Sequence, residues 1–264
     1  MSTQTHSPTD SLTARELFRP TGQIWISWPY IFIDAKRQLR NRRTMIFLAV
    51  MPVMIFVAFG SAYRSSDRVM FSYIMVSMAV YGAMVAMTSI GASTSTERGQ
   101  GWTRQLRLTP LHPAGYVVSK VIVALLLGVI PVALVLAVGA GMGARLSAAQ
   151  WLEASLASWV CSLVFAAFGL FMGYLIPAEN VMQFIGPLLA MLSFFGGLFT
   201  PVAFLPHALR VMAPYMPTYA VGEIARSPIT GTGFTLAHVT LLLIWTAAFS
   251  AGTAFLFRRD TARG

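Results

Sequence analysis

The sequence is short of charge. Only 11% of its 264 residues are charged, whereas 56% are hydrophobic. A soluble domain uses about 25% charged residues. Less than half that complement cannot cover a water-facing surface, so a soluble single domain is excluded, as is a disordered or fibrous chain. Cysteine is scarcer still: Cys161 stands alone inside an apolar run. One cysteine makes neither an intrachain disulfide nor a zinc site, which removes redox chemistry and structural metal from the candidate functions. Lysine occurs only at Lys36 and Lys120, and neither follows a glycine. A phosphate-binding loop has the pattern G-x-x-x-x-G-K-[ST], so ATP hydrolysis would have to come from another chain. Residues 1–21 are polar, contain prolines and lack the apolar core of a signal peptide; they read as a disordered tail.

Long apolar runs are abundant. A hydrocarbon core about 30 Å thick needs ~20 apolar residues of helix. Six stretches qualify: Thr44 to Tyr63, Val69 to Ala92, Tyr116 to Val138, Ala154 to Ile176, Val181 to Thr200, and Phe234 to Phe257. None contains an acidic residue, and Lys120 is their only cation. The chain is therefore read as an all-α membrane protein whose six-span domain fills residues 44–257. Basic residues give the orientation. With the N-terminus cytoplasmic, fourteen of the nineteen fall inside, leaving Arg64, Arg68, Arg145, Arg210 and Arg226 outside. The positive-inside rule thus accounts for most of the net charge of +10 without nucleic acid. Both termini are expected in the cytoplasm, with 258–264 as a short tail there.

Ahead of the first span, residues 22–43 read as an amphipathic helix lying along the inner membrane surface. Trp28, Ile31, Phe32, Ala35 and Leu39 recur at helical spacing, with Asp34, Arg37, Gln38 and Asn41 opposite. Pro29 suits a first turn. The arginines are expected against anionic lipid, with a cytoplasmic partner as a further contact.

Catalytic chemistry finds little support. Gly91-Ala92-Ser93 loosely resembles the Gly-x-Ser of rhomboid-type intramembrane proteases, which pair it with a histidine in the last span, and His238 is in the last span here. The topology puts Ser93 at the inner end of its helix and His238 near the outer end of its own, far beyond the ~3 Å that proton transfer requires. His112 and His207 stand alone in loops, and no carboxylate pair or metal-ligand cluster appears. The spans carry no charge at mid-depth, which disfavours coupled proton or sodium transport by this chain alone. Eight of the 15 methionines fall in the first two spans, a deformable apolar surface. Gly169-Leu170-Phe171-Met172-Gly173 fits small-xxx-small helix packing.

The loop at 94–115 is the most informative part of the chain. It reads Thr96-Glu97-Arg98-Gly99-Gln100-Gly101-Trp102-Thr103-Arg104-Gln105-Leu106-Arg107-Leu108-Thr109-Pro110-Leu111. Trp102 and Leu106 give a short helix an apolar side, and Pro110, Pro113 and Gly115 end it. The Glu-Arg, glycine, then Leu-x-Leu-Thr-Pro-Leu order resembles the cytoplasmic loop of ABC type-2 transporter permeases. A second match follows at Gly196-Gly197-Leu198-Phe199-Thr200-Pro201, Leu205-Pro206, Pro217-Thr218-Tyr219 and Glu223-Ile224-Ala225-Arg226. The resemblance covers nearly all of the chain from Trp25 to Arg259. It departs at Trp102 and Arg104, where family members commonly carry threonine and glutamate.

The resemblance implies a permease subunit, paired with a second copy and with two cytoplasmic ATP-binding cassette subunits that hold ATP and magnesium. This chain would bind no cofactor itself. Its substrate would be a hydrophobic or amphipathic compound (drug, antibiotic, lipid or peptide) exported across a bacterial inner membrane. Glu97, Arg98, Trp102, Leu106 and Arg107 are expected to contact the ATPase, with Arg37 and Arg40 as secondary contacts. Met51, Phe56, Met84, Thr88, Asn180, Gln183 and Phe194 are the transport-path candidates. The segment 201–230 is expected to re-enter the membrane from outside, with Phe204, Leu205, Leu209 and Arg210 as an outer gate and Arg210 reaching toward the headgroups. The competing readings are an ATPase-independent membrane protein, such as a scramblase or immunity protein, and an intramembrane enzyme.

Overall fold

The computed structural model describes residues 26–101 and 113–261, and all regular structure among them is helical. Ten helices follow in order: α1 Trp28–Arg40, α2 Arg42–Gly60, α3 Arg68–Gly99, α4 Pro113–Gly141, α5 Ala148–Val160, α6 Val164–Leu175, α7 Val181–Phe195, α8 His207–Met212, α9 Pro217–Thr230 and α10 Leu236–Thr261. A 3-10 turn over Cys161–Leu163 joins α5 to α6 as one rod. Among the described residues, five segments are long and apolar enough to cross a membrane: Thr44–Tyr63, Arg68–Gly99, Ala114–Gly141, Ala148–Leu175 and Leu236–Arg259.

Local chemistry sets the ends of these helices, and three of them shift from the sequence reading. The α3 helix starts where the Asp67 carboxylate accepts from the amides of Val69 and Met70, at 3.0 and 2.9 Å, satisfying donors that a first turn leaves open. It runs seven residues past Ala92. The polar stretch there stays helical because its hydroxyls find carbonyls: Ser93 donates to Ile90 and Ser95 to Ile176, both at 2.7 Å. Glu97 and Arg98, expected in a loop, therefore lie on the last turn of the longest helix. Upstream extension of the fourth stretch has its own cause. Ser147 and Gln150 form a reciprocal capping box that starts α5 at Ala148 rather than Ala154.

The fifth stretch is shortened. A span was expected over Val181 to Thr200, but α7 stops at Phe195, 15 residues long. Gly197 takes φ +74, a left-handed backbone that ends the helix. Thr218 closes over the stop, its Oγ1 donating to the Leu192 carbonyl at 2.6 Å. Beyond it lie a 3-10 turn over Val202–Phe204, α8, and a second 3-10 turn over Ala213–Tyr215. The prolines at 201, 206, 214 and 217 prevent these from merging into one helix. Trp245, nine residues into α10, donates its indole N–H to the Tyr215 carbonyl at 3.0 Å. At 1.5 Å per residue, the start of α9 thus lies about 13 Å along α10 from its first residue.

The core is built around α3, which packs against α2, α4, α6 and α9. A Cβ at Gly91 would sit 2.5 Å from the Leu170 amide nitrogen and 2.7 Å from the Ala166 carbonyl oxygen. Gly169 faces Thr88 and Gly173 faces Gly91 and Ala92. The Gly169-xxx-Gly173 stripe of α6 therefore lies directly on the α3 backbone, the contact that dispersion favours between helices in lipid. Peripheral α2 and α10 leave most of their apolar surface exposed.

Candidate functional site

Four charges converge where α1, α3 and α4 meet. Lys120, one turn beyond Tyr116 on α4, is fully buried, and its ammonium lies 2.9 Å from Asp34 Oδ2 and 2.5 Å from Glu97 Oε1. Arg37 pairs with Asp34 at 2.8 Å and also with Glu97. Tyr116 donates its hydroxyl to Glu97 Oε2 at 2.6 Å. Ser93 and Gln38 complete the ring, with Gln38 donating to the Ser93 hydroxyl at 3.3 Å and Lys120 reaching it at 3.4 Å. Two carboxylates thus face two cations, so the cluster is neutral although three of its four charged side chains are buried.

The energetics favour a defined arrangement here. Burying one ion costs several kcal/mol, and the mutual attraction of a pair offsets this only when the remaining hydrogen-bonding groups are also satisfied. Lys120 and Glu97 meet that condition. Arg37 does so at the rim, with a half-exposed side chain. Burial works against its charge, but Glu97 and then Asp34 outweigh it and hold the guanidinium above its ordinary pKa. The cluster ties α1, which is not a membrane span, to the ends of two helices that are. A cavity of about 300 Å³ opens beside it between α1, α2 and α3, with Arg37, Asn41, Thr44, Ser93 and Glu97 on its walls.

Asp34 and Ile31 of α1 are buried against the bundle while Trp28 and Phe32 are each 69% exposed, so the docked side mixes residues from both faces that the spacing suggests. Lys120 on α4 supplies the charge that Asp34 needs there.

The predicted residues divide into groups. Glu97 and Arg37 are inside the cluster. Arg98 turns to α6, donating to the carbonyls of Gly173 and Tyr174 at 3.2 and 3.3 Å, with its guanidinium carbon 4.8 Å from the centre of the Tyr174 ring. Arg40 is exposed at the end of α1. Trp102, Leu106 and Arg107 lie outside the described residues. Among the transport-path candidates, Phe56, Met84 and Thr88 are fully buried in helix packing, and Thr88 donates to the Phe165 carbonyl at 3.3 Å. Met51, Asn180, Gln183 and Phe194 lie on exposed faces, so the structure brings no single path together from these seven. Phe194 does line a cavity of about 300 Å³ at the opposite end of the bundle, with Ile55, Phe59, Met78 and Phe199. Of the gate candidates, Phe204 is exposed and Leu205 buried. Arg210 folds back onto its own segment, donating to Ala203 O at 2.7 Å and Leu205 O at 3.3 Å, instead of extending away from it.

Sequence reasoning missed Asp34, Tyr116 and Lys120 as members of one site. Lys120 carried the signal: a lone cation in an apolar stretch demands a buried acid. Which acid answers is decided by packing, since Asp34 lies 86 positions away.

Comparison with known proteins agrees with this architecture. The family model described as ABC-2 type transporter matches residues 23–230. The Bacillus subtilis (strain 168) protein named "Putative transport permease YvfS" is 24% identical over 234 residues, covering 87% of this chain and 96% of that protein.

Proposed function

Because the chain belongs to the ABC-2 type transporter family, a membrane subunit of a transporter, we propose that it is the permease of an ATP-driven exporter. Two copies would assemble with two cytoplasmic ATP-binding cassette subunits that hold ATP and magnesium. The cargo would be a hydrophobic or amphipathic compound leaving the cytoplasm or inner leaflet of a bacterial inner membrane. The α1 end of the bundle faces the cytoplasm in this reading, as the positive-inside count favours.

The observation that carries the proposal is the buried cluster of Asp34, Arg37, Glu97 and Lys120. It fastens α1, α3 and α4 into one unit, and the chain passes from α3 to α4 through residues 102–112. A push on that connection would therefore reach α1, α3 and α4 together. Nucleotide state can drive transport only if it biases two membrane arrangements by differential contact energy, and a stiff joint transmits such a bias better than a loop. Glu97 acts here through the joint, while Trp102, Leu106 and Arg107 would be the residues offered to the ATPase.

The sixth crossing is shared in this reading. The 15 residues of α7 span about 22 Å, short of a hydrocarbon core of about 30 Å. The segment 196–216 then lies at membrane depth, and α9 climbs to the outer surface before α10 returns. Irregular backbone at such depth needs protein partners, and Tyr73 of α3 and Arg226 of α9 meet the Gly197 carbonyl while Trp245 of α10 meets that of Tyr215.

The test is assembly and ATP turnover. The purified chain alone should not hydrolyse ATP, whereas a complex with its cognate ATPase should, and Trp102→Ala should weaken co-purification or uncouple hydrolysis from transport. Turnover by the isolated chain would return the enzyme reading. Full function with no ATPase expressed would favour a scramblase or immunity protein.

A further inference from the structure

At the far end of α3 lies a second buried cation. Arg226 of α9 is 1% exposed, and its guanidinium meets side chains of α3 and α9 and the backbone at the break after α7. Nη2 meets Glu223 at 2.8 Å. Nη1 donates to the Ser77 hydroxyl of α3 at 3.0 Å and lies 3.5 Å from the Gly197 carbonyl oxygen. The guanidinium carbon is 4.4 Å from the centre of the Tyr73 ring, close enough for a cation–π contact. Tyr73 in turn donates its hydroxyl to that same Gly197 carbonyl at 2.9 Å. One backbone oxygen, at the left-handed residue where the chain leaves α7, is thus held from α3 and approached from α9. Gly222 makes room, since a Cβ there would sit 2.7 Å from Nη1.

A purely structural residue at this place would be better served by an apolar side chain, because burying an arginine recovers its desolvation cost only through well-formed partners. Here the set is incomplete. Nε makes no hydrogen bond, and the Glu223 side chain is 28% exposed. The contact is therefore specific in geometry yet open to water on one side.

We propose that Arg226 is the positioning residue of the outer exit: with Tyr73 it fixes the Gly197 carbonyl, and so sets where the segment 198–216 sits over the path. Its consequence for export rests on the permease reading above, but the lock itself is built entirely within this chain. Release of Gly197 would free the segment while leaving α7 and α9 folded.

The experiment uses the full chain in liposomes, with Cys161→Ala and a reporter Thr200→Cys on the wall of the far-end cavity. A membrane-impermeant maleimide reads the labelling rate, and Ser66→Cys in the exposed turn before α3 is the reference. Arg226→Met should raise labelling at position 200 about tenfold, as loss of one specific local closure of about 1.4 kcal/mol would do. Tyr73→Phe, which removes only the hydroxyl, should raise it severalfold. Arg226→Lys should behave like Arg226→Met, because a single ammonium cannot serve Ser77, Gly197 and Glu223 in the geometry of a planar fork. The rate at position 66 should stay constant throughout. Parental labelling at 200 in Tyr73→Phe and in either arginine variant overturns the proposal, as does a parallel rise at both reporters, which marks general loosening. If Arg226→Met fails to insert, Tyr73→Phe and Arg226→Lys decide. A chain that binds no ATPase yet shows the labelling change would sink the permease reading alone. An unchanged rate in a chain that binds its ATPase would sink the lock alone.

Discussion

Lys120 shows what a single residue can enforce in this molecule. Its ammonium is the only fully buried cation in the α1 joint, and both carboxylates lean on it. Lys120→Met would leave Asp34 and Glu97 facing each other with only the half-exposed Arg37 between them. Uncompensated buried charge of this kind costs about 3–5 kcal/mol, which should appear as a large drop in the thermal midpoint of the detergent-solubilised chain. Adding Glu97→Gln removes the excess negative charge and should recover most of that loss, because neighbouring charges in one network are not additive. A wild-type midpoint for Lys120→Met would show that the cluster holds nothing. The sequence made half of this legible. The isolation of Lys120 in an apolar run states that a counter-charge exists, and the Glu97-Arg98 pair stood out as functional. Their meeting with Asp34 did not follow, because contact between positions 34, 97 and 120 is a property of helix packing that no local spacing records.

Whole helices were more readable than their ends or their facing. Five of the six apolar stretches lie in helices long enough to cross a membrane and the other holds a 15-residue helix, since hydrophobic run length is a strong signal. The ends moved where a side chain did something that composition does not reveal: hydroxyls bonding back to carbonyls extended α3, a capping box lengthened α5, and Gly197 cut α7. For α1, periodicity separated Ile31 from Asp34, yet the two are buried together. They lie three residues apart, one turn of helix, and the buried Lys120 draws Asp34 inward. The glycine stripe between α3 and α6 permits a sharper test. Gly91→Leu would force a side chain into the backbone of Leu170 and Gly169, where nothing flexible can yield, and should destabilise the chain by about 3 kcal/mol. Gly141→Leu at the end of α4, where a new Cβ meets nothing within 4 Å, should be nearly neutral in the same unfolding measurement. Equal effects would mean that α3 and α6 are not packed through their glycines.

At the scale of the molecule, α3 links the two charged sites. Ser77 and Glu97 are twenty residues apart on one uninterrupted helix, about 30 Å at 1.5 Å per residue, so the joint at the α1 end and the lock on Gly197 share a rod. The apolar surface left exposed around that rod is divided between two sides. On one, α10 offers a long unbroken helix whose Leu243 and Phe255 are each 65% exposed, a surface suited to lipid. On the other, α2 and α7 flank the far-end cavity, contributing Ile55, Phe59 and Phe194 to its wall. There α7 exposes Gly186, which would let another helix come close, and Met54 on α2 is 65% exposed. A transport path must open on a face where the bundle is interrupted, and α7 is the helix that stops short. A second copy should therefore meet the α2 and α7 side, placing Met51 and Phe194 at the seam. In a Cys161→Ala background, Met54→Cys should cross-link to a dimer with a short bifunctional thiol reagent, and Leu243→Cys should not. Cross-linking at Leu243 alone would move the seam to α10 and take Met51 and Phe194 out of the path.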